Sequence, residues 1–229
     1  MDYTFQFGDV LRHWPLLVEG ALNTLRLSLV GMSIGLIVGV AGAVARNSSV
    51  VILRAAAGAY VELVRNTPLL VQLFFFFFAL PSLGLRLATT EAAMLALIFN
   101  NGAYATEIVR AGIESIHKSQ IEAAASLGLS PFQIFRYIVI GQALERVYPA
   151  LTGQFIVLML ATSITSAIGA EELTAFGSRI QSENFRSLEV YFVCAAIYLG
   201  LTFLLRGGFA VLAMLAFPRR RRLGTGELR

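Results

Sequence analysis

Charge is scarce in this chain. Of 229 residues, 14% are Asp, Glu, Lys or Arg and 57% are hydrophobic, whereas soluble domains carry about a quarter charged residues. A mean hydropathy of +0.72 agrees. The composition is that of an integral membrane protein, with one domain over 1–229 the natural expectation at this length. There is one cysteine, Cys194, so no internal disulfide can form. The two histidines, His13 and His117, form no H-E-x-x-H, and no cysteine pair accompanies them, so metal catalysis has no support. No G-x-x-x-x-G-K-[ST] phosphate loop occurs, so ATP hydrolysis by this chain is excluded. No internal repeat is visible, which argues against the inverted repeats of many secondary transporters.

What the chain does have is long apolar runs. The first, Leu16 to Ala45, is too long for a signal peptide core, and Asp2, Asp9 and Glu19 stand where a signal would be basic. It reads as a retained span. A helical span needs about 20 mostly apolar residues. Five segments qualify, at roughly 18–45, 51–81, 88–110, 147–169 and 188–217, giving an all-α five-span fold. Gly31, Gly35 and Gly39 recur every fourth residue on the first, a spacing that lets helices approach closely.

Lysine and arginine placement sets orientation. With the N-terminus outside and the C-terminus cytoplasmic, four basic residues fall outside and thirteen inside. The Arg219–Arg222 cluster then reads as a stop-transfer anchor. The same rule places the 111–146 segment in the cytoplasm.

That segment carries ordered helix signals. Ser119 and Glu122 have capping-box spacing, and Ala123 to Leu127 favour helix. Gly128 suits a left-handed helix end. Ser130, Pro131 and Gln133 signal a second helix start. Two helices with a sharp turn at Gly128–Ser130 are predicted. The turn's apolar Leu127, Leu129 and Phe132 either seek a groove in another protein or fold back on the membrane helices.

Polar groups within spans are functional candidates. Asn100, Tyr104 and Glu107 share one face of the third span, beside Asn101, and line either a substrate path or a subunit interface. The fourth span offers Gln154, Thr162 and Ser163; the hydroxyls often bond their own helix backbone, so Gln154 stands out. Asn66-Thr67-Pro68 predicts a kink in the second span. Thr67 and Gln72 would then face a cavity near a gate.

Glu122-Ala123-Ala124 followed by Gly128 resembles the loop motif of binding-protein-dependent ABC importer permeases. Three longer stretches resemble the polar amino acid branch of that family: ELVRNTPLLVQLFFFFFALP from Glu62, NGAYATEIVRAGIESIHKSQIEAAASLG from Asn101, and ENFRSLEVYFVCAAIYL from Glu183. The chain departs at Gly141, where the family usually has proline, and at Leu160-Ala161, where relatives often carry a lysine–acid pair. A softer helix break is expected at Gly141.

The resemblance implies a bacterial inner-membrane permease subunit that is not itself an enzyme. Its loop would be a coupling helix between spans three and four, with Glu122, Ala123, Ala124 and Gly128 at its core. Implied partners are ABC ATPase subunits carrying ATP and Mg, a second permease subunit (identical or related), an extracytoplasmic solute-binding protein and membrane lipid, with no nucleic acid. This chain would bind no cofactor. The implied substrate is a polar amino acid. A stand-alone secondary transporter and a membrane scaffold are the competing classes.

Overall fold

A computed structural model describes residues 4–217. Its described residues are helical, with no strand. A short N-terminal helix α1 (Phe7–Leu11) precedes the long α2 (Trp14–Arg46), whose Pro15 lies in the first turn, where its missing N–H costs nothing. Next come α3 (Val51–Arg65), α4 (Leu69–Ser82), α5 (Thr89–Glu114), α6 (Lys118–Ser126), α7 (Pro131–Ile168), α8 (Leu173–Asn184) and α9 (Ser187–Ala216). Four of these, α2, α5, α7 and α9, are individually long and apolar enough to cross a membrane.

The predicted second span is not one helix. Residues 51–81 fold as α3 and α4, bent by 109° at the Asn66–Pro68 break, and they reach span length only as a pair. Proline supplies no N–H and clashes with the preceding turn, so the helix cannot run through. The fourth apolar segment also differs from expectation. It is the C-terminal part of a 38-residue helix starting at Pro131, well before residue 147. Gly141 makes no break; the nearest irregularity is a π-helical turn at Phe135–Val139, ending two residues before it. Arg219–Arg222 lie outside the described residues.

Helix α2 packs along α5 through its small-residue stripe. A Cβ added at Gly35 would lie 2.6 Å from Asn101 Nδ2, and one added at Gly39 would collide with Ala105. The glycine spacing therefore serves backbone approach. Leu27, Met32, Leu97, Phe155, Leu158 and Met159 fill the centre between α2, α5 and α7. A second core of Val10, Leu17, Leu173, Ile180, Val190 and Cys194 ties α1 and α8 to α2 and α9.

Candidate functional site

The break between α3 and α4 builds the site. Ending a helix leaves carbonyls without intrahelical donors, and lipid supplies none. Gln72, one turn into α4, meets this need. Its buried side-chain amide donates to the Val64 carbonyl at 2.8 Å, the Thr67 carbonyl at 3.0 Å and Thr67 Oγ1 at 2.9 Å. Its own oxygen accepts from Asn100 Nδ2 at 3.1 Å. Asn100 on α5 thereby pins the broken pair to the neighbouring helix. The Thr67 hydroxyl donates to the Leu63 carbonyl at 2.9 Å.

Beside this knot lies an open cavity of about 490 Å³ between the α3–α4 break, α5 and α7. Thr67, Pro68, Asn100, Tyr104 and Gln154 line it, with Arg65 at one edge. Five predicted pathway residues, from three segments distant in sequence, thus meet around one space. Gln154 makes no hydrogen bond among the described residues, so its amide is available there.

The remaining predicted pathway residues lie elsewhere. Gln72 sits behind the wall, spent on the helix break. Asn101 points the other way, donating to the Gly31 carbonyl of α2 at 3.3 Å. Thr162 and Ser163 turn back on their own helix, donating to the Met159 and Leu160 carbonyls at 2.7 Å. This is the local bonding that makes such hydroxyls poor markers of a pathway.

Glu107 lines a second cavity of about 490 Å³, with Arg65, Ser115 and Arg146. Its carboxylate is enclosed by arginines from three helices. Arg110 grips both oxygens, at 3.2 and 2.8 Å. Arg46 of α2 lies 3.5 Å away and Arg65 of α3 lies 3.9 Å away. Arg65 also stands over the Tyr104 ring, 5.5 Å from its centroid. Sequence reading passed over Arg65 as an orienting charge. Its position directly before the Asn66-Thr67-Pro68 break was the available signal.

The 111–146 segment forms the predicted helix–turn–helix, with different details. Its first helix starts at Lys118 after His117, so Ser119 and Glu122 do not form a capping box. Glu122 and Ala123 are exposed. Gly128 has φ +80°, and the Gly128 and Leu129 N–H groups donate back to the Ala125 and Ala124 carbonyls at 2.9 and 3.2 Å. This crossed pair is the Schellman helix end. The Ser130–Gln133 box is complete, with Gln133 Oε1 accepting from Ser130 N at 2.8 Å and Pro131 at the first helical position. The apolar residues of the turn divide between burial and exposure. Ala124, Ile134, Val139 and Ile116 pack into a local core that Leu129 partly joins. Leu127 and Phe132, 81% and 76% exposed, stand out from the turn.

A further polar cluster escaped the sequence reading. Glu172 caps α8 by accepting from Ala175 N at 2.9 Å, and it is fully buried. Tyr198 of α9 donates to its other oxygen at 2.5 Å. Thr24 of α2 accepts from Leu173 N at 3.3 Å. Burial pushes the Glu172 carboxyl above its ordinary range, against the opposing pull of these hydrogen bonds.

Comparison with known proteins gives one family. The model for "Binding-protein-dependent transport system inner membrane component" matches residues 31–215. The chain is 40% identical over 203 residues to the glutamine transport system permease protein GlnP of Escherichia coli (strain K12), covering 88% of this chain and 93% of that one. It is 36% identical over 204 residues to the nopaline transport system permease protein NocM of Agrobacterium fabrum, covering 85% of each. Its structure resembles a solved amino acid ABC transporter with histidines at a TM-score of 0.87 and 35% identity, covering 92% of this chain and 98% of that one.

Proposed function

The chain belongs to the binding-protein-dependent transport system inner membrane component family, among its polar amino acid importer permeases, and we propose that it forms the translocation path of an ATP-driven importer of glutamine-like amino acids. The observation that carries this reading is the convergence of Thr67, Pro68, Asn100, Tyr104 and Gln154 on one cavity at a broken helix. The 40% identity to a glutamine permease supports the substrate class.

In this reading the protein sits in a bacterial inner membrane, N-terminus outside and C-terminus cytoplasmic. It pairs with a second permease subunit, and two ATPase subunits holding ATP and Mg lie beneath. A solute-binding protein delivers substrate from outside. The exposed Leu127 and Phe132 dock into an ATPase cleft, with Glu122, Ala123 and Ala124 on the adjoining helix. Because α7 begins at Pro131 and continues through Gln154, movement of the docking turn reaches the cavity along one helix. That lever is roughly 35 Å long at 1.5 Å per residue. ATP-driven closure of the ATPases then swings the path between inward- and outward-facing states.

A secondary transporter fits less well. Its mid-membrane acid must gain and lose a proton, whereas Glu107 is held by Arg46, Arg65 and Arg110. The test is reconstitution of the permease with its ATPase and binding-protein partners in liposomes. ATP-dependent glutamine uptake is expected, and Gln154→Leu should change its KM at least several-fold without loss of assembly. Uptake that persists without the ATPase would overturn the reading.

A further inference from the structure

Building on the importer reading, we propose that Arg65 is a substrate-binding residue that grips the α-carboxylate of the transported amino acid and passes it from the cavity at the helix break to the one beside Glu107. Arg65 is the side chain common to both cavities: it borders the one lined by Asn100 and Gln154 and also the one lined by Glu107 and Arg146. A long arginine side chain can swing between two adjoining spaces by changing rotamers, with no movement of its helix.

Arg65 is also the arginine that Glu107 needs least. Both carboxylate oxygens already accept from Arg110, and Arg46 approaches to 3.5 Å. At 3.9 Å, Arg65 lies beyond hydrogen-bond reach of the carboxylate. Among the described residues it donates no hydrogen bond. Its side chain is 41% exposed, against 24% and 27% for Arg46 and Arg110. A guanidinium with five N–H donors is therefore held loosely by one charge and one aromatic face, over Tyr104.

The local charge favours an incoming anion. Arg46, Arg65, Arg110 and Arg146 gather in this region, where the carboxylates paired with them among the described residues are Glu107 and Glu114, and Arg146 is engaged with the Ser115 carbonyl. A planar guanidinium matches a carboxylate with two parallel hydrogen bonds. The group shared by all α-amino acids is that carboxylate. Gln154, unpaired in the cavity at the helix break, is left to read the part of the substrate that differs.

The experiment uses the permease assembled with its ATPase subunits in nanodiscs, without the binding protein. Binding of labelled L-glutamine is measured in competition with L-glutamine and with its α-amide, which lacks the carboxylate charge. The wild-type complex should prefer the free carboxylate about 10- to 100-fold, the worth of a charged hydrogen-bonded pair. Arg65→Gln should weaken glutamine binding by a similar factor and bring the ratio near one. Arg65→Lys, which keeps the charge but loses the fork, should fall between.

An Arg65→Gln complex with wild-type affinity and ratio would overturn the assignment. If that variant fails to assemble, unchanged affinity and ratio in Arg65→Lys would overturn it equally. If wild-type liposomes containing all partners accumulate none of the twenty common amino acids, the importer reading falls and the Arg65 assignment falls with it. Uptake by wild type with no effect of either variant on glutamine binding removes the Arg65 assignment alone.

Discussion

Gln72 donates to the main-chain carbonyl of Val64 at 2.8 Å, reaching back across the proline break to a residue eight positions earlier. The contact explains how a helix can bend by 109° in an apolar setting. Each buried carbonyl left without a donor costs about 1–3 kcal/mol, and the one amide serves Val64 and Thr67 together.

Gln72→Leu keeps the volume nearly constant and removes the donor. We expect a lower thermal unfolding temperature in detergent, from a loss of about 2–4 kcal/mol as the freed carbonyls and Asn100 lose their partner. Scanning calorimetry or a thiol-dye melt reads this directly. An unchanged melting temperature would mean that the carbonyls at the break find other donors.

At Gly128 the penalty for substitution is conformational. An added Cβ would meet nothing within 4 Å, yet φ is +80°. Asparagine tolerates that region and a β-branched residue does not. In the proposed importer, Gly128→Asn should therefore retain coupled transport, while Gly128→Val should insert and leave the ATPase partners hydrolysing ATP without matching uptake. Measuring both rates in the same liposomes decides it. Wild-type coupling in the valine variant would remove this turn from the coupling path.

Glu172 gives a pH dependence of defined sign. Burial raises its folded-state pKa, so the folded protein holds this proton more tightly than the unfolded chain. The contribution is fully present below the unfolded value, near 4.3. It is lost as pH rises toward and through the raised folded value. The melting temperature of the wild type relative to Glu172→Gln should therefore increase as pH is lowered from about 7 to about 5. A difference that stays flat over this range would mean that the carboxyl titrates as an ordinary acid.

Much of this was legible before folding. Polar residues in apolar segments are costly, so Asn100, Tyr104 and Gln154 stood out against their surroundings. Glycine, serine and proline signals act over a few residues, so the Gly128 turn and the Ser130–Gln133 box could be read locally. The first capping box failed at Ser119 because the helix starts two residues earlier than that cap requires, at Lys118 after His117. Local signals fix that a helix starts nearby better than they fix its first residue.

The sequence alone determined that the chain is helical and apolar enough to live in a membrane, that the second apolar segment is distorted at Pro68, and that the loop turns at Gly128. These are properties of composition and of backbone chemistry within a turn or two. Tertiary structure decided which polar groups face a cavity and which are spent on the protein itself. Asn100 and Asn101 are adjacent and chemically identical, yet the roughly 100° between successive helix residues sends one to the cavity and the other to α2. Only the packing of α2, α3, α5 and α7 could bring Arg65 between Glu107, Tyr104 and two open spaces, because that arrangement depends on side chains far apart in the chain.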